Sequence, residues 1–426
     1  MNRIRIFHSE CKWIPQVQIK SQKYATACPS MDMYNFHPYS GGGKIILALL
    51  LEMGRINPSD ELRDIVYKCT ECGACAISCK FLNTLEPLEI IMKLREKLVD
   101  AGYGPMPKQQ QYIESVKKNN NPYNEPHEKR LDWLPKDIEL DPNAKVLYYV
   151  GCTSSYRREE MAIASVRIMN EAQVPFNVLS DNEFCCGSPI LRTGDTKTFQ
   201  EYLNKNLDVI ESKGIETVVF SCAGCYDTFK VDYPLYRNYN FRVLHVVEFF
   251  DELLETGQLK LTNEVPLTVT YHDPCHLGRN AECYEEWDGD VVDLMPLVSI
   301  NMPPKPKRTG AKGNYNAPRN ILKRIPGIKF VEMERIKEYA YCCGAGAGVK
   351  SAFPELALNT AKTRIKEAED TGAEVLTSAC PFCSTNLQDA INDSGSKLKF
   401  YDINELLLMA LGLETKALKK KMAEAA

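Results

Sequence analysis

VLYYVGC at residues 146–152 and VTYHDPC at residues 269–275 decide the fold. Each is a short run rich in β-branched and aromatic residues that ends in a turn and a cysteine. Such a composition over a short run reads as a strand. Outward from these runs the pairing recurs. EFCCGSP at 183–189 matches AYCCGAG at 340–346, and GIETVVFSCAGC at 214–225 matches GAEVLTSACPFC at 372–383. FRVLHVVEFFDELLE at 241–255 matches LKFYDINELLLMALG at 398–412. The copies lie 123 residues apart at the first motif and 157 or 158 at the others, which places an insertion near 279–312. Candidate strands of the first copy are KVLYYV (145–150), FNVL (176–179), TVVFSC (217–222) and RVLHVV (242–247), with helix-like stretches between them. This alternation predicts an α/β fold: two Rossmann-like units related by a pseudo-twofold, one over 145–262 and one over 263–426.

The segment 1–118 reads as helical. Ile45, Leu47, Leu50 and Leu51 mark one helix. Glu86-Pro87 opens another, in which Leu88, Ile91, Leu94, Leu98 and Val99 keep helical spacing until Gly102 ends it. Residues 119–144, containing NNNPYNEP, read as a linker or wrapping arm.

The 426 residues carry a net charge of −4, with 44% hydrophobic and 25% charged residues. That is the balance of a globular chain with a sizeable core, and it offers no basic excess for nucleic acid. The longest apolar run, Ile45 to Leu51, is too short for a membrane span, and MNRIRIFHSECKWIPQ at the start has no stretch of secretory length. Against this background stand 17 cysteines. Disulfide frameworks of such density belong to small secreted scaffolds, so a large chain with no export signal points to bound metal. All but Cys11 and Cys283 fall into three groups.

The first group is Cys69-x2-Cys72-x2-Cys75-x3-Cys79, a spacing that wraps thiolates around a cubane [4Fe–4S] cluster. In ferredoxin-type runs the fourth cysteine serves another cluster, and the remaining ligand is a distant Cys-Pro. Cys28-Pro29 is such a dipeptide, so Cys28, Cys69, Cys72 and Cys75 are the expected ligands, with Cys79 the rival for the place of Cys28. Structural zinc sites pair two separated CxxC knuckles, which this run lacks. Tyr24, Ser21 and Gln18 stand where a second ferredoxin motif needs cysteines. Cys11 is therefore either part of an irregular second cluster with His8 and Cys79, or an ordinary buried thiol.

The other groups are Cys152, Cys185, Cys186, Cys222 and Cys225, and Cys275, Cys342, Cys343, Cys380 and Cys383. Each gathers thiols from loops that follow predicted strands, at the sheet edge where open α/β folds place ligands. Five thiolates exceed the needs of zinc or one cubane, so an unusual multi-iron cluster is the economical reading. Gly187 and Gly344 are expected to let the backbone approach it closely. Beside Cys275, the residues His272, Asp273 and His276 are candidate catalytic groups that deliver protons to a departing thiolate. The alternative for His272 is a strand-end hydrogen bond to the backbone. The first copy has Tyr149, Val150 and Thr153 at these places, so the second site is the expected catalytic one. Lys350 either draws an anionic substrate or is solvated. PPKPKRTGAK at 303–312 is either a docking arm for an acidic partner or a solvated loop.

The doubled CxnCCGxnCxxC motif behind a ferredoxin-like segment, with HDPCHLGR at 272–279 and CCGAGAG at 342–348, resembles the catalytic subunit of heterodisulfide reductases over nearly the whole chain. The resemblance implies a helical ferredoxin-like domain with one cubane cluster, two cysteine-rich CCG domains each with a noncubane [4Fe–4S] cluster, and cleavage or formation of a small disulfide or thiol substrate. The same architecture serves iron–sulfur subunits of glycolate and lactate dehydrogenases, of sulfite-reduction complexes and of benzoyl-CoA reductase complexes. ATACPSMDMYNFHPYSGGGK at 25–44 looks more like these complex subunits. In them the chain relays electrons and the substrate sits on another subunit. No GxGxxG fingerprint for flavin or nicotinamide is present, so electrons are expected to pass through a partner: a flavoprotein, a ferredoxin-like subunit or a membrane subunit. The expected setting is an oxygen-poor cytoplasm, at the membrane only through such a partner.

Overall fold

The structure, a computed structural model, describes residues 23, 24, 26–80, 85–295 and 298–425; His8 and Cys11 lie outside the described residues. Strands β1 (Val146–Tyr149), β2 (Phe176–Asn177), β3 (Thr217–Phe220) and β4 (Arg242–His245) form a parallel sheet in the order β2-β1-β3-β4. β5 (Thr268–Tyr271) is followed by an antiparallel hairpin, β6 (Asp290–Met295) and β7 (Val298–Met302), which falls in the segment that the repeat offset marks as inserted. β8 (Lys329–Phe330), β9 (Val375–Ser378) and β10 (Lys399–Asp402) complete a second parallel sheet, ordered β10-β9-β5-β8. The fold is α/β, and the second sheet repeats the strand order of the first.

The strands are shorter than their apolar runs, for local reasons. RVLHVV gives its last two residues to the helix Val246–Glu255. There the Glu248 carboxylate accepts from the His245 backbone N–H at 2.8 Å, and the His245 ring accepts from Val247 at 3.3 Å, a reciprocal cap that turns strand into helix. Asp402 and Glu405 form the same cap at the matching place. FNVL stops at Asn177, whose side chain accepts from the Val178 N–H and bends the chain.

Upstream lie the helices Pro29–Tyr34, Gly41–Glu52, Asp60–Tyr67, Ala74–Cys79, Pro87–Asp100 and Pro107–Asn119. Ala48, Leu62, Val66, Tyr67, Leu94 and Leu98 make their core. The fully buried Arg95 fastens this segment to both repeats. It pairs with Glu71 at 2.9 Å and donates to the carbonyls of Cys69 at 2.7 Å, Arg192 at 2.6 Å and Ala347 at 3.3 Å. The stretch 119–144 wraps the first repeat, with Trp133 buried edge-on against Tyr148. The basic run at 303–312 folds back on the chain: Lys307 donates to the Lys80 carbonyl at 3.1 Å and Arg308 to the Glu282 carbonyl at 2.6 Å. Among the described residues no helix is long and apolar enough to cross a membrane.

Candidate metal centres

β1 and β3 diverge from the point where the chain reverses its order across the sheet, and their carboxyl ends deliver Cys152 and Cys222. This is the crevice where open α/β sheets hold ligands. Cys152 meets Cys185, Cys185 meets Cys186, Cys186 meets Cys225 and Cys225 meets Cys222. In the second sheet Cys275 meets Cys342, Cys342 meets Cys343, and Cys343 Sγ lies 3.3 Å from Cys383 Sγ, which meets Cys380. Of these ten thiols only Cys275 is partly exposed.

Crowding splits their acidities. Hydrogen bonds from Cys185 and Cys225 push the Cys186 thiol down to about 6. Cys342 and Cys383 hold Cys343 well below the usual thiol range, and Cys225 and Cys380 do the same for Cys222. Cys225 and Cys383 move the other way because neighbouring sulfurs claim the negative charge. A polynuclear cation that takes every sulfur as thiolate removes this conflict. Five soft donors at each sheet edge, all buried but Cys275, therefore fit an iron–sulfur cluster.

In the amino-terminal group, Cys75 faces Cys69, Cys72 and Cys28, and more weakly Cys79. Cys79 packs with Ile45, Cys75, Leu85 and Ile90. The fully buried Lys44 faces Cys69, Cys28 and Cys75, and its ammonium bonds the Tyr39 carbonyl. Burial pushes this ammonium down while the thiols oppose the shift. A lysine beside three glycines, opening an otherwise apolar helix, was the signal for it in the sequence.

The three groups touch. Cys72 faces Cys342, whose Sγ lies 3.5 Å from Thr70 Oγ1. Cys222 is within reach of Cys380, across the junction of the repeats. The order is thus amino-terminal group, second repeat, first repeat. Spacing alone did not reveal it.

Charged side chains complete the sites. Both terminal nitrogens of the buried Arg130 lie 3.8 Å from Cys152 Sγ, and Arg130 pairs with Glu183 at 2.6 Å. His272 accepts at Nδ1 from Arg364 Nε at 3.0 Å, and a ring nitrogen lies within 4.8 Å of the Cys343 and Cys383 sulfurs. Asp273 is clasped by Arg319 at 2.7 and 2.9 Å and accepts from the Lys337 N–H. His276 Nδ1 lies 2.6 Å from Asp227, which pairs with Arg192 at 2.9 Å. Arg192 also holds Asp232 at 2.6 Å, whose carboxyl burial raises to about 6. Lys350 bonds Asn386 and Asp389. Arg130, Arg192, Asp227 and Arg364 carry no motif, so the sequence offered no sign of them.

Gly187 and Gly344 adopt left-handed φ of +80° and +88°. A Cβ would stand 2.7 Å from the Phe199 ring at Gly187 and 2.4 Å from the Ala357 carbonyl at Gly344. These glycines thus serve a turn and the close approach of the helix behind it. The glycines where a Cβ would crowd sulfur are Gly151, at 3.2 Å from Cys225 Sγ, and Gly41, at 3.0 Å from Cys75 Sγ. Gly344→Ala is expected to destabilise the fold by roughly 1–3 kcal/mol, read as a lower urea midpoint; an unchanged midpoint contradicts this packing argument.

The family model described as the cysteine-rich domain, CCG, matches residues 146–230 and 269–388. The chain is 37% identical over 416 residues to the D subunit of the dihydromethanophenazine:CoB–CoM heterodisulfide reductase of Methanosarcina mazei, covering 96% of this chain and 93% of that relative. It is 31% identical to the B subunit of the fumarate reductase (CoM/CoB) of Methanothermobacter marburgensis, covering 81% of this chain and 61% of that relative. The crystal structure of a hypothetical protein from Helicobacter pylori superposes with a TM-score of 0.54 at 10% identity, over 98% of this chain and 74% of that one, a likeness of fold alone. With its paired cysteine-rich domains and end-to-end match, the chain belongs to the family of heterodisulfide reductase D subunits and is an iron–sulfur oxidoreductase subunit.

Proposed function

We propose that this subunit cleaves, or in reverse forms, a small disulfide with electrons exchanged through a redox partner. Cys28, Cys69, Cys72 and Cys75 hold a cubane [4Fe–4S] cluster, and each five-cysteine group holds a noncubane [4Fe–4S] cluster. The observation that carries this reading is the pair of sulfur contacts, Cys72 with Cys342 and Cys222 with Cys380, which put the three groups in line. Bound clusters supply single electrons and sulfur-seeking iron. The balance is RSSR + 2e⁻ + 2H⁺ → 2RSH.

The side chains have separate tasks. Burial of every thiol of the two repeats but Cys275 keeps water and oxygen from those sites. Lys44 and Arg130 set positive charge beside sulfurs that carry negative charge when they ligate. Asp227, fixed by Arg192, orients His276 beside Cys275, where a proton is needed as a thiol product leaves. Asp273, clasped by Arg319, steadies the same turn.

The test is anaerobic oxidation of reduced benzyl viologen by added disulfides, the CoB–CoM mixed disulfide named for the relatives among them. The expected result is disulfide-dependent oxidation of two viologen radicals per disulfide. A fully loaded protein that reduces none of them contradicts the proposal and favours an electron relay whose substrate sits on another subunit. The cubane assignment has its own test. Cys28→Ser is expected to abolish the ferredoxin-type paramagnetic signal, whereas Cys79→Ser leaves it, because Cys75 faces Cys28 more strongly than Cys79, which packs with Ile45, Cys75, Leu85 and Ile90. The opposite pattern exchanges the two residues.

A further inference from the structure

We infer that His272 donates its Nε2–H to the cluster of the second repeat, and that this raises its reduction potential above that of the first repeat. The inference rests on the proposed presence of a cluster at each five-cysteine group.

The proton on His272 is placed by its neighbour. A guanidinium has only N–H donors and stays charged. Arg364 Nε lies 3.0 Å from His272 Nδ1, so Nδ1 offers its lone pair and the proton sits on Nε2. Arg364 cannot turn away. It is fully buried, pairs with Glu367 at 2.7 Å and donates to the Arg335 carbonyl at 3.0 Å. A doubly protonated ring would set a second N–H and a positive charge against this cation. His272 is itself 1% exposed, and among the described residues its Nε2 makes no hydrogen bond of good geometry, though the ring lies against Cys343. A buried donor left unpaired is costly. The acceptors beside the ring are the sulfurs of Cys343 and Cys383.

The first repeat lacks this device. Tyr149 stands where His272 does, three residues before the leading cysteine of its group. Asn206 stands where Arg364 does, at the same 158-residue spacing that relates Cys222 to Cys380. The Tyr149 hydroxyl is 2.5 Å from the Phe184 carbonyl and 3.3 Å from Asn206 Oδ1, so its proton goes to the protein. A Tyr–Asn pair in one copy has become a His–Arg pair in the other. Hydrogen bonds to cluster sulfur favour the reduced, more negative state and raise the potential. Electrons arriving at Cys342 from Cys72 thus collect in the second repeat before they reach the first.

The test is a redox titration followed by paramagnetic resonance on the intact subunit. In His272→Leu the second-repeat signal is expected to reduce with an equilibrium constant about tenfold smaller, a one-electron shift of 59 mV, while the first-repeat signal holds. His272→Gln, which keeps an N–H near the place of Nε2, is expected to recover most of the shift. In the wild type, ¹⁵N-histidine labelling is expected to show a weak coupling at the second-repeat cluster alone. This measurement does not depend on any variant folding. Two clusters present with no ¹⁵N coupling, or with an unmoved midpoint in His272→Leu, overturn the inference. A wild type without a second non-ferredoxin signal overturns the cluster assignment beneath it as well.

Discussion

Replacing Cys343 by serine is expected to remove the second-repeat cluster and leave the cubane in place. Cys343 is buried, meets Cys342 and Cys383 at once, and is held well below the ordinary thiol range by both. Serine offers a shorter, harder donor with a proton that no neighbour draws off. The iron content should fall by about four per chain, the value for one such cluster. The ferredoxin-type signal should stay near its wild-type intensity, and disulfide turnover should cease. The amino-terminal group has its own cysteines and its own core of Leu62, Val66, Tyr67, Leu94 and Leu98, so it has no need of the Cys343 sulfur to assemble. Full iron retention would exclude Cys343 as a ligand. Loss of every signal together would contradict the separateness of the two groups.

Arg130→Met is expected to weaken the first repeat in the same selective way, through charge. Arg130 is 1% exposed and bridges the Cys152 sulfur and the Glu183 carboxylate. Glu183 also accepts from the Val150 and Gly151 N–H groups at 3.0 and 2.8 Å, holding the turn that presents Cys152. Removing the cation strands a buried carboxylate, and breaking such a pair costs about 3–5 kcal/mol. The expected result is a lower denaturation midpoint and partial loss of the first-repeat signal, with the second-repeat signal kept. Adding Glu183→Gln should restore part of the stability, since the stranded charge is then gone while the amide oxygen keeps one of the two backbone N–H bonds. A double variant no more stable than Arg130→Met would show that packing, not charge, is what Arg130 supplies.

These two residues show what the sequence reveals and what it hides. Cys343 is plain in the sequence because CCG recurs at a fixed spacing from CxxC, and a repeat is a pattern that needs no structure to see. The strand starts at Val146 and Thr217 were legible for a related reason: a buried parallel strand is an apolar run, and few other elements look like it. The ends of the strands were not, because at His245 the stop comes from a side-chain cap rather than from a change in hydrophobicity. Arg130 was invisible. It lies in a polar stretch read as a linker, and only the folded chain brings it to Cys152. The nearness of Cys72 to Cys342, 270 residues apart in the chain, is likewise a property of docking that neither motif contains. The glycines carry a subtler lesson. Gly187 and Gly344 were legible as special positions, but the atoms that crowd them belong to Phe199, Ala357 and Thr360 of the helices behind. Residues that stand alone between motifs, such as Arg364 and Asp227, acquire meaning only from their partners.

One chain is proposed to hold three clusters of two kinds. The direct test is anaerobic purification followed by iron, zinc and acid-labile sulfide analysis with paramagnetic resonance on the same sample. About twelve irons per chain, a ferredoxin-type signal, and further signals that no cubane gives are expected. About four irons with one or two zincs, and a ferredoxin signal alone, would contradict this proposal and make the paired cysteine-rich domains structural zinc sites.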